Sequence, residues 1–126
     1  MAKSILLIDD DRLVVRSLAR LLEKEGYNVI CAESGQQAVD LSDRTNFDLI
    51  ISDIKMPGLN GIQTTYNIKN IFKKKDMKMV PVIFITGYAD ETSCKEAKNL
   101  NTDDFIYKPF GKDKFLEAVK KALRSA

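Results

Sequence analysis

Apolar and polar residues fall in blocks along this chain. Ile5-Leu6-Leu7-Ile8, Leu49-Ile50-Ile51, Val82-Ile83-Phe84-Ile85 and Phe105-Ile106-Tyr107 are continuous apolar runs of strand length. Such runs mark strands buried on both faces, as in a parallel sheet. Between them, apolar residues recur at helical spacing: Val14, Leu18, Leu21 and Leu22, then Ala38 and Leu41 behind a capping Ser34. Ile62, Ile68, Ile71 and Phe72 form a third such set, and Phe115, Leu116, Val119 and Leu123 a last one. The pattern predicts strands over 4–8, 27–32, 47–52 and 104–107, with Pro81 opening another where its missing N–H costs little. Gly26 is placed to end the first helix. Residues 90–100 carry the thinnest apolar face of the five expected helices, with only Ala97 and Leu100 suited to a core. Strand and helix alternate throughout, which favours an α/β domain of five βα units around a parallel sheet.

Each apolar run stops at a residue able to handle a phosphoryl group: Asp9 and Asp10, Asp53, Thr86, and Lys108 before Pro109. In a parallel sheet these all reach the edge beyond the carboxyl ends of the strands, where open α/β sheets bind ligands. The loop Lys55-Met56-Pro57-Gly58-Leu59-Asn60-Gly61 interrupts the pattern just after Asp53. Composition narrows the chemistry. The 126 residues allow one domain and one core, so residues 1–126 are expected to form a single unit without an output domain. Twenty basic and eighteen acidic residues leave a net charge of +2, too little to argue for nucleic acid or membrane. There is no histidine, which excludes a His general base, a His-rich metal site and a phosphohistidine of its own. Cys31 and Cys94 stand far apart and read as reduced packing residues of a cytoplasmic protein.

Asp9, Asp10, Asp11 and Asp53 would gather up to four carboxylates near one site. Like charges in a partly dry cleft repel, so without a counterion some would take up protons. A divalent cation removes the conflict. An oxygen-only donor set without His or Cys suits magnesium, or manganese, and suits zinc badly. A carboxylate can also act as nucleophile and form an aspartyl phosphate. Phosphoryl transfer then depends on placement and charge neutralisation more than on proton chemistry. Asp53 stands alone opposite the acidic pair and is the candidate nucleophile, with the Lys108 amine and the Thr86 hydroxyl as candidate partners of the phosphoryl oxygens. Taken singly, each residue also reads as a turn residue. Taken together, the strand ends form a set that the alternation itself does not require. Asp11, one position past the pair, is expected to cap the first helix.

Ile8-Asp9-Asp10, Ser52-Asp53-Ile54-Lys55-Met56-Pro57-Gly58-Leu59-Asn60-Gly61, Phe84-Ile85-Thr86-Gly87 and Tyr107-Lys108-Pro109-Phe110 occur in a specific order and spacing. With these motifs the chain resembles a receiver domain of the two-component response-regulator family over almost its whole length. The resemblance implies a flavodoxin-like fold, with strand order 2-1-3-4-5 and helices on both faces. It implies that Asp53 accepts a phosphoryl group from a histidine kinase or a histidine phosphotransfer protein. Asp9, Asp10, Asp53 and the backbone carbonyl of Lys55 match the metal ligands. Thr86 matches the switch hydroxyl and Lys108 the lysine that pairs with the phosphoryl oxygens. The Lys108-Pro109 bond is expected to be cis.

In such receivers an aromatic on the fifth strand turns inward and reshapes the surface of the fourth helix, fifth strand and fifth helix. Here that position is Phe105, which couples by packing alone because it has no hydroxyl. Core filling is the competing role for it. Lys55 and Tyr88 match positions that tune phosphoryl lifetime. The partners implied are the kinase or phosphotransfer protein and a downstream protein or output domain, and a homodimer on phosphorylation is allowed. No direct nucleic-acid or membrane contact is expected, nor enzyme activity beyond self-phosphorylation from donors and autodephosphorylation. Residues 73–79 form a basic connection a few residues longer than the family's usual one, expected to be a solvated loop, with an interaction patch made by its lysines as the alternative. The rival reading is a haloacid-dehalogenase-like phosphatase, with Asp9 as nucleophile and Asp11 as acid–base. It leaves the motif from Asp53 to Gly58 without a purpose.

Overall fold

The apolar runs become strands because their side chains point alternately to opposite faces, and both faces are covered. In the computed structural model, which describes residues 2–87 and 104–125, β1 is Ser4–Ile8, β2 Asn28–Ala32, β3 Leu49–Asp53, β4 Val82–Thr86 and β5 Asp104–Tyr107. Neighbouring strands are parallel and ordered β2-β1-β3-β4-β5, the flavodoxin-like arrangement. Helices α1 (Arg12–Lys24), α2 (Gly35–Arg44) and α3 (Gly61–Lys74) follow the first three strands, and a last helix, Lys112–Ser125, follows β5. The helix expected at 90–100 lies outside the described residues, as do Tyr88 and Cys94.

Ile5 and Leu7 of β1, Leu49 and Ile51 of β3, Ile83 and Ile85 of β4 and Ile106 of β5 face one core. There they meet Val15, Leu18 and Leu22 of α1 and Phe115 and Val119 of the last helix. The intervening residues Leu6, Ile8, Ile50, Val82 and Phe84 face the other core, against Ala38 of α2 and Ile62, Ile68 and Phe72 of α3. Helices therefore cover both faces. Phe72, Phe84 and Phe115 are fully buried, and each contributes about 2–3 kcal/mol from apolar burial.

The differences from the periodic pattern are local. Val14 and Leu21 sit at the edge of α1's buried stripe, while Ala19, and Ala118 and Ala122 of the last helix, join the core. Small residues fit where a helix approaches the sheet closely, so a reading weighted toward large side chains passes over them. Helix α3 runs to Lys74, into the segment expected to be loop. Cys31 corrects the packing expectation, because its thiol is exposed. It lies on β2, the edge strand, and pairs with Leu7 at the sheet's uncovered margin. Pro81 stands just before β4, where it donates nothing and its carbonyl accepts from the Ile50 N–H at 3.0 Å.

Candidate functional site

Parallel pairing brings the strand ends together. Ile8 pairs with Ser52, Asp53 with Ile85, and Thr86 with Tyr107. Asp9 therefore leaves β1 beside the end of β3, and Lys108 leaves β5 beside the end of β4. The Lys108 N–H donates to the Thr86 carbonyl at 2.9 Å, and the Lys108-Pro109 peptide is cis, as expected. The Lys108 side chain reaches across two strand ends. Its Nζ lies 3.3 Å from Asp53 Oδ2 and 3.7 Å from Asp9 Oδ2.

Asp9 is 1 % exposed and Asp53 8 % exposed, while Asp10 faces solvent. Carboxylate oxygens of Asp9, Asp10 and Asp53 all lie within 4.8 Å of one another. Burial pushes the Asp9 carboxyl up from 3.8 to about 6. The neighbouring charges of Asp53 and Asp10 add to the rise, while the Asp11 N–H and the Lys108 ammonium oppose it. The Asp11 N–H donates to Asp9 Oδ1 at 3.0 Å. Asp9 Oδ2 is buried and has no hydrogen-bond partner among the described residues. A buried acceptor without a donor among the described residues, in a cluster of three carboxylates facing the Lys108 ammonium, is an arrangement a cation would satisfy. The donors are all hard oxygens, which fits magnesium.

Asp53 is held from two sides. The Lys55 N–H donates to its Oδ1 at 3.3 Å as the chain turns out of β3. The chain then returns at Gly61, whose N–H donates to the Ile54 carbonyl at 2.8 Å. A Cβ at Gly61 would be driven into the Asp53 carbonyl oxygen. Only glycine permits that approach. Beside it, Asn60 and Gln63 form a capping box: the Gln63 N–H donates to Asn60 Oδ1 at 2.8 Å and the Asn60 N–H to Gln63 Oε1 at 2.9 Å. Reading from sequence missed both supports. The Asn-x-x-Gln spacing ahead of an apolar helix was a usable signal for the cap. Nothing local marked the contact of Gly61 with Asp53.

The response-regulator receiver-domain family model matches residues 5–120. This chain belongs to that family. Transcriptional regulatory protein CrdR of Helicobacter pylori is 36% identical over 121 residues, covering 96% of this chain and 55% of that protein. Transcriptional regulatory protein CpxR of Escherichia coli is 38% identical over 120 residues, covering 95% of this chain and 49% of that protein. The chain thus spans about half the length of these relatives. A crystal structure of a CheY-like response regulator receiver domain protein from Methanospirillum hungatei superposes with a TM-score of 0.88 at 30% identity, covering 99% of this chain and 96% of that one. The phosphatase reading gains no support from these matches. In the receiver Asp11 serves instead as the expected cap of α1, with its Oδ1 accepting from the Leu13 and Val14 N–H groups at 3.0 and 3.5 Å.

Thr86 and Lys55, also of the expected set, lie at the same edge, while Tyr88 is outside the described residues. Thr86 is buried at the end of β4. Phe105 is half-buried, with its ring 5.9 Å from that of Phe84, so it extends the core under α3. Lys55 stands exposed at the rim. Among the described residues no helix is long and apolar enough to cross a membrane.

Proposed function

We propose that this receiver accepts a phosphoryl group on Asp53. A phosphohistidine of a histidine kinase or phosphotransfer protein supplies it. An Asp53 carboxylate oxygen attacks phosphorus, a P–O bond forms, the P–N bond breaks, and the electron pair leaves with the donor imidazole. The observation that supports this most directly is the position of Lys108 Nζ, at 3.3 Å from Asp53 Oδ2 and 3.7 Å from Asp9 Oδ2. An ammonium there holds the nucleophile in place and faces charge arriving on the phosphoryl oxygens. Asp9, Asp10, Asp53 and the Lys55 carbonyl would hold magnesium, or manganese. Bound there, the ion neutralises negative charge on the phosphoryl group. The Thr86 hydroxyl takes a further phosphoryl oxygen in the acyl phosphate, and Phe105 follows by repacking.

The added charge then biases the surface made by the segment after β4, β5 and the last helix toward a downstream protein or output domain. Phosphorylation-linked pairing with a second copy fits the same scheme, as does a cytoplasmic location, with no direct contact to nucleic acid or membrane. Residues 1–126 act as the receiver unit, and catalysis is confined to self-phosphorylation from small donors and autodephosphorylation, at a rate tuned by Lys55 and Tyr88. The test is intact-mass measurement with a small acyl phosphate donor and magnesium. One added phosphoryl group is expected, mapping to Asp53 and absent from Asp53→Asn. Label on Asp9 with continuing turnover, or no label with the wild-type chain, would overturn the reading.

A further inference from the structure

Away from the phosphoacceptor edge, the distal half of α3 and the connection after it enclose an open groove of about 520 Å³. Along α3 its lining runs from Tyr66 to Lys73, about 11 Å along the axis. The connection is largely exposed, as expected of a solvated loop, and begins with an ordered turn. The Asp76 N–H donates to the Lys73 carbonyl at 3.1 Å and the Met77 N–H to the Phe72 carbonyl at 2.9 Å. Together they form the paired hydrogen bonds of a glycine-type helix end. Asp76 provides the left-handed residue at φ 58°, the one non-glycine with positive φ among the described residues. That conformation costs about 1 kcal/mol for a residue with a Cβ. The turn places Met77 in the same groove as Tyr66. The two are 37 % and 57 % exposed, large apolar side chains left in water on one face.

Lys69, Lys73 and Lys78 ring the groove, and none has a carboxylate within ion-pair distance among the described residues. Lys75 is turned away, with its Nζ donating to the Ser42 carbonyl at 2.8 Å. An aromatic and a thioether thus line the same groove as three ammonium groups. We infer that this groove docks an acidic segment of a partner protein, with one apolar side chain of that segment seated between Tyr66 and Met77. The charge pattern selects this occupant. Three lysines on a chain of net charge +2 supply too few phosphate contacts for nucleic acid. Methionine in the lining adapts to varied apolar anchors, and an ordered turn reduces the entropy lost on binding. Docking here leaves the Asp53 edge open.

The experiment is an amide chemical-shift titration of the full chain, without phosphodonor, so that its outcome is independent of the phosphoacceptor reading. The probe is a short peptide, acidic at both ends around a Phe-Leu pair. The same titration uses its lysine-substituted counterpart, an oligouridylate and phosphatidylserine vesicles. The expected result is shifts confined to residues 66–79 with the acidic peptide alone. Tyr66→Ala should weaken binding by about tenfold or more, as should Lys69→Glu with Lys73→Glu. Tyr66 and Lys73 are exposed and Lys69 is half-buried, none of them part of the core, so the variants keep the fold. Asp76→Asn should bind more tightly. Shifts elsewhere, affinity unchanged in Tyr66→Ala, preference for the oligonucleotide or vesicles, self-association through this face, or no shift at millimolar peptide would each overturn the inference.

Discussion

Asp9→Asn isolates the cost of the acidic cluster. The variant keeps the shape of the side chain and an acceptor for the Asp11 N–H, but removes a charge buried at 1 % exposure. In the folded protein the carboxyl is raised from 3.8 to about 6, chiefly by burial. Between those values the folded chain binds the proton more tightly than the unfolded chain. Stability from this group is therefore fully present below 3.8 and is lost as pH rises through about 6. At about 1.36 kcal/mol per pH unit, the interval from 3.8 to about 6 corresponds to about 3 kcal/mol. Without metal, Asp9→Asn is expected to be more stable than wild type by up to that amount near neutral pH, and nearly equal to it below about pH 4. With a slope of about 2 kcal/mol/M, the urea midpoint moves by about 1.5 M. The chain has no tryptophan, so far-ultraviolet circular dichroism follows the transition. Magnesium should narrow the gap, because it stabilises the wild type through binding to the folded state. Parallel pH profiles for the two proteins, or a variant less stable at neutral pH, would refute the argument that burial of this charge opposes folding.

Lys108→Ala withdraws the ammonium that lowers the Asp9 carboxyl, so its titration should move above about 6, read by carbon-13 carboxyl shifts; an unchanged titration would remove Lys108 from the electrostatics of the site. Thr86→Ala should still take up a phosphoryl group from a small donor by intact mass, with weaker phosphorylation-induced shifts in the last helix. Undiminished shifts would count against the switch assignment. Gly61→Ala drives a methyl into the Asp53 carbonyl and should lower stability by about 3 kcal/mol, whereas an unchanged urea midpoint would show that the turn out of β3 yields readily.

The amino-acid sequence by itself determined the strands, the positions of most helices and the identity of the residues at the strand ends. These follow from two-residue and helical periodicities and from short motifs, which depend on near neighbours along the chain. The cap made by Asp11 was legible for the same reason: its oxygen needs only the next few N–H groups. Other features depend on contacts between distant segments. Lys108 meets Asp53 across 55 residues of chain. Asp9 is perturbed because the fold surrounds it, while Asp10, chemically identical and one position later, faces water. Cys31 is exposed because its strand lies at the sheet's edge. Gly61 is required because α3 returns against the end of β3. The groove behind Tyr66 exists because a left-handed Asp76 turns the chain back toward α3. Burial, charge environment and close approach are properties of the packed chain, so tertiary structure alone decided them.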